Sequence, residues 1–186
     1  MSERSLAPAL ALITAALTAY RLWVIQHLGI DLYVDEVQYW TWSQALDWGY
    51  FSKPPVIAAL IAASTALLGN NLIAIKLPSL LIYPATAFAL FALGRRLYSP
   101  RIGFWAGLAF MSMPLVAALG LFVSTDAPLL LCWSLALLFL LRALDEEGWA
   151  NWLACGALIG IGLMSKYTMA AFLPSALLLI VLSPRH

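Results

Sequence analysis

Charge is scarce along this chain. Asp, Glu, Lys and Arg supply 10% of the 186 residues, hydrophobic residues supply 63%, and the formal net charge is +1. The few Lys and Arg are scattered, so there is no basic patch for nucleic acid. No soluble domain of this size covers so large an apolar fraction with polar surface. Cysteine is equally sparse. Cys132 and Cys155 both lie inside apolar runs and read as small buried side chains rather than as a disulfide or metal pair. No His/Cys spacing of a metal centre occurs. The N-terminus also lacks the small-residue cleavage site of a signal peptide, and its apolar stretch, reaching Ile30, is too long for one; it is expected to stay as an anchor.

What the chain does have is apolar runs between short polar breaks. A helix needs about 20 apolar residues to cross a hydrocarbon core of roughly 30 Å. Runs at 6–29, 72–93, 102–122, 127–141, 149–164 and 169–182 predict an all-α polytopic membrane protein with about six crossings. Residues 31–71 form the expected outer loop. It is rich in Tyr33, Tyr39, Trp40, Trp42, Trp48, Tyr50 and Phe51, which suit a bilayer interface. Its apolar part, 54–68, is short for a span and reads as an interfacial helix.

The positive-inside rule tests this threading. With a cytoplasmic N-terminus, Arg4, Arg95, Arg96, Arg101, Arg142 and Arg185 all fall inside, and only Arg21 lies within a span. The same threading puts Asp35, Glu36, Lys53, Lys76, Asp126 and Lys166 on the outer side. The last two runs are short for solitary lipid-facing helices. The chain ends directly after an apolar run, at Ser183-Pro184-Arg185-His186. Both features lead us to expect the N-terminal part of a larger membrane module, 1–186, without its C-terminal helices or any soluble domain.

Four constellations carry candidate chemistry. Asp35-Glu36 opens the outer loop. A carboxylate there, walled by aromatic side chains, is suited to accept a proton from an attacking hydroxyl; equally, Asp35 suits a helix N-cap, with Gln38 completing a capping-box pattern. In Tyr50-Phe51-Ser52-Lys53-Pro54-Pro55 the prolines predict a helix start. Lys53 then sits at a helix N-terminus, a site for a phosphate group, or else simply snorkels to lipid headgroups. In Ser124-Thr125-Asp126-Ala127-Pro128, Asp126 is either an N-cap or an acid that helps hold a divalent cation or an acceptor. Lys166, in the polar break Ser165-Lys166-Tyr167-Thr168, marks a turn and either snorkels or meets an anionic headgroup.

Taken in order with Gly94-Arg95-Arg96-Leu97-Tyr98, these motifs resemble bacterial members of the dolichyl-phosphate-mannose protein mannosyltransferase superfamily, of which the lipid A aminoarabinose transferases are relatives. The resemblance covers essentially the whole chain. It implies a C-type glycosyltransferase fold in the bacterial inner membrane, using a polyprenyl-phosphate sugar donor and an acceptor protein, glycan or lipid at the outer face. By position, Asp35 matches the family's catalytic acid, Glu36 its acidic neighbour, and Lys53 the basic residue that meets the carrier phosphate. Asp126 and Lys166 match a second acidic position and a nearby basic one. If the acceptor is itself a phosphate no base is needed, and Asp35 would position substrate or bind a metal, with Asp126 a further candidate ligand. Two rivals stay open: a small transporter, with the same charges lining a pathway, and an inactive remnant or assembly partner.

Overall fold

The computed structural model describes residues 3–146 and 148–182. Arg185, the rest of the final four residues and the side chain of Arg4 lie outside the described residues. The elements are α1 (Leu6–His27), α2 (Val34–Ser43), α3 (Val56–Leu68), α4 (Leu72–Leu97), α5 (Pro100–Ser112), α6 (Pro114–Leu119), α7 (Asp126–Asp145), α8 (Trp149–Leu163) and α9 (Phe172–Leu182). Among the described residues there is no strand. Three helices, α1, α4 and α7, are long and apolar enough to cross a membrane, and α3, α8 and the segment Tyr167–Leu182 are shorter apolar helices. The protein is an all-α membrane protein.

The longest helix, α4, has 26 residues and spans about 39 Å. It packs against α1, α3, α5 and α7. Its seam with α5 depends on glycine: a Cβ on Gly94 would lie 2.7 Å from the Cα of Gly103, so the two backbones touch directly. At its C-terminal end, Arg96 reaches Asp145 (3.0 Å) and Glu146 (3.2 Å), tying α4 to the end of α7.

Several boundaries differ from the expectation, each for a local reason. The run at 102–122 is not one helix. It breaks at Met113-Pro114, where proline cannot continue the α5 hydrogen-bond ladder and instead starts α6. The helix expected at Pro54 begins at Val56 with Pro55 as its N-cap, leaving Lys53 in the approach to the helix rather than on its first turn. Asp35 is not an N-cap, because Tyr33 holds that place and Asp35 lies in the first turn of α2. Likewise Thr125 is the N-cap of α7 and Asp126 its first residue. The turn expected at Lys166 is present, followed by a 3-10 segment, Tyr167–Ala171, before α9.

Candidate functional site

The first turn of α2 separates its two acids. Adjacent helical residues point about 100° apart, and here one faces inward and the other outward. Glu36 is 1% exposed and Asp35 is exposed. The Glu36 carboxylate accepts from the backbone N–H of Tyr33 (2.9 Å) on one oxygen and of Val123 (2.7 Å) on the other. The Nζ of Lys76, itself fully buried, donates to both oxygens at 3.0 and 2.9 Å and to the carbonyl of Leu121 at 3.0 Å. It also stands 5.1 Å from the Phe122 ring centroid. The ammonium and the carboxylate are thus each fully engaged, which is what burial of an ion pair demands.

Asp35 opens into a cavity of about 460 Å3. Lys53, Asp126, Lys166 and Glu36 also line it, so the five acids and lysines singled out in the sequence share one space. Their states differ. Lys166 donates to Asp126 at 2.6 Å, in a half-exposed pair. Neither Asp35 nor Lys53 has a hydrogen-bond or ion-pair partner among the described residues. Each therefore keeps its full capacity for a ligand. Tyr39, buried in the cavity wall, has its hydroxyl pushed up to about 12, chiefly by burial and then by the Asp35 and Asp126 carboxylates. At neutral pH it remains a neutral hydrogen-bond donor.

Among the described residues, no three His, Cys, Asp or Glu side chains converge. Asp126 is held by Lys166 and Glu36 by Lys76, which leaves Asp35 as a lone carboxylate.

Sequence reasoning gave no role to Lys76 or Arg21. Both are single charges inside long apolar runs, and the cost of burying such a charge is a signal that it has a specific partner. The sequence expectation puts Lys76 only on the outer side; the structure buries it completely, against Glu36, Leu121 and Phe122.

Residues 52–186 match the dolichyl-phosphate-mannose-protein mannosyltransferase family. A lipid A galacturonosyltransferase of Rhizobium johnstonii is 36% identical over 174 residues, covering 93% of this chain and 37% of that protein. An undecaprenyl phosphate-alpha-4-amino-4-deoxy-L-arabinose arabinosyl transferase of Pseudomonas fluorescens is 30% identical over 175 residues, covering 85% of this chain and 28% of its own length. The chain thus spans well under half the length of these relatives. No solved structure matches it. Matched over most of its length and in the segments that build the cavity, the chain belongs to the dolichyl-phosphate-mannose-protein mannosyltransferase family.

Proposed function

We propose that this chain forms the donor-handling part of an integral membrane glycosyltransferase that moves a sugar from a polyprenyl-phosphate carrier to a lipid acceptor. The observation that carries the proposal is that one cavity holds a carboxylate, Asp35, and an ammonium, Lys53, each without a hydrogen-bond or ion-pair partner among the described residues, beside the Asp126–Lys166 pair. The relatives' names support the substrate classes, one being named for lipid A and the other for an undecaprenyl-phosphate-linked sugar.

In the reaction, an acceptor oxygen forms a bond to the anomeric carbon as the bond from that carbon to the carrier phosphate breaks. The acceptor hydroxyl gives its proton to Asp35, acting as general base. The departing phosphate takes the electron pair of the broken bond. It needs no general acid, only positive charge, which Lys53 supplies. Lys166 adds a second charge when the phosphate competes with Asp126 for it. Glu36 is assigned a supporting part, because its two oxygens are committed to Lys76 and to backbone N–H groups. A phosphate acceptor would make the base unnecessary, and Asp35 would then orient it. The arginine distribution supports an inner-membrane protein with a cytoplasmic N-terminus and the cavity outside.

The transporter reading is less well supported. Asp35, Lys53, Asp126 and Lys166 all sit at or just beyond helix ends, whereas alternating access places its polar groups near the bilayer midplane. A transfer assay decides between the two. The full-length gene product in liposomes is offered a panel of polyprenyl-phosphate sugars and lipid acceptors, and products are identified by mass spectrometry. Vectorial uptake without any glycosylated product would overturn the enzyme reading.

A further inference from the structure

Arg21 is the only Asp, Glu, Lys or Arg in α1, and a cation inside an apolar span is costly unless its environment rewards it. It is 5% exposed. Among the described residues no carboxylate pairs with it. Its Nη2 instead donates to the carbonyls of Met111 (3.3 Å) and Val116 (3.2 Å), on either side of the Met113-Pro114 break. Helix ends leave carbonyls without intrahelical partners; Arg21 serves the Met111 carbonyl at the end of α5 and adds a second donor to the Val116 carbonyl within α6, which also accepts from the Gly120 N–H at 2.9 Å. The guanidinium also lies flat against Gly120, where a Cβ would stand 2.6 Å from both Cζ and Nη1.

Gly120 opens the segment that walls the cavity. From there the chain is held at Leu121 by Lys76 and at Val123 by Glu36, and it then delivers Ser124, Thr125 and Asp126 to the cavity. Its start depends on α6, a helix of six residues, which is far too short to be stable alone. Resting on the functional reading above, we propose that Arg21 is a positioning residue for the candidate site: its guanidinium fixes the α5–α6 break and Gly120, and through them the wall that carries Asp126. It touches neither donor nor acceptor.

The test uses the full-length gene product in liposomes, with its native cysteines, Cys132 and Cys155 among them, replaced by alanine and Ser124→Cys as a reporter. The hydroxyl of Ser124 is buried, so a cysteine there should react slowly with a small thiol reagent. Arg21→Met, which keeps the bulk but removes the donors, and Gly120→Ala, which displaces the guanidinium, should each speed labelling by about 10-fold or more as the wall loosens. In proteins without the reporter, both should lower turnover per folded molecule by about 10-fold, and Arg21→Lys should recover to within about threefold of wild type. A side chain that merely aids folding would lower the yield and leave both quantities unchanged in the molecules that fold. Wild-type labelling and turnover in monodisperse Arg21→Met overturns the proposal. If that variant does not fold, the same result in Gly120→Ala overturns it. Should the wild type transfer no sugar, the enzyme reading fails by itself and the labelling rates alone decide the role of Arg21.

Discussion

Glu36 and Lys76, separated by forty residues of chain, form an ion pair that fastens α2 to α4 and at the same time grips Leu121 and Val123 from the cavity wall. Breaking a buried pair by removing one partner leaves an uncompensated charge, at a cost of about 3–5 kcal/mol. Lys76→Met or Glu36→Leu alone should therefore lower the thermal midpoint in detergent sharply. The combined variant should be less destabilised than the sum of the two, because neither stranded charge survives. It should not return to wild type, since the N–H groups of Tyr33 and Val123 lose their acceptor. Simple additivity in the cycle would show that the two side chains do not act as a pair.

The apolar pattern made the helices legible because a span is encoded in composition alone. The first run was expected at 6–29 and is helical over Leu6–His27. What composition hides is the division of labour between neighbouring side chains. Asp35 and Glu36 are chemically alike, and only the register of α2 buries one against Lys76 and leaves the other exposed in the cavity. The break at Met113-Pro114 was signalled by the proline but masked by apolar residues on both sides, so 102–122 read as one span. Lys76 was legible as a charge, yet its partner lies forty residues away. No local rule joins the two.

The orientation can be checked at exposed positions that do not themselves line the cavity. Ser52 precedes Lys53 and is exposed, and Tyr98, also exposed, lies between α4 and α5 beside the arginine cluster. A cysteine at Ser52 should react in intact cells with an impermeant thiol reagent, and one at Tyr98 should react only after the membrane is permeabilised. The reverse pattern would place the cavity on the cytoplasmic side and overturn the proposed outer site.

Asp35 has no hydrogen-bond or ion-pair partner among the described residues, so its replacement separates chemistry from stability. Asp35→Asn should leave the stability within about 0.5 kcal/mol of wild type, as exposed substitutions commonly do. Turnover should fall by roughly 10²-fold or more if Asp35 is the general base for a hydroxyl acceptor. A well-folded Asp35→Asn protein with normal turnover would remove the base from the mechanism and favour a phosphate acceptor.

Lys53 distinguishes a phosphate site from a lysine that only meets lipid headgroups. It is half-buried, lines the cavity and has no acidic partner among the described residues. If it meets the carrier phosphate, Lys53→Ala removes a charge-assisted contact of about 1.5–3 kcal/mol, or roughly 10- to 150-fold in donor affinity. Lys53→Arg keeps the charge and should lose less. A snorkelling lysine has many equivalent partners, so its removal would alter neither donor binding nor turnover. Binding of a polyprenyl-phosphate sugar to the full-length gene product is the measurement, with the same lipid lacking its phosphate as control. The lysine variants should converge with wild type on the phosphate-free lipid and diverge on the phosphorylated one. Wild-type affinity of Lys53→Ala for the phosphorylated donor would transfer the role to Lys166, and Asp126→Asn, which frees that ammonium, should then tighten donor binding.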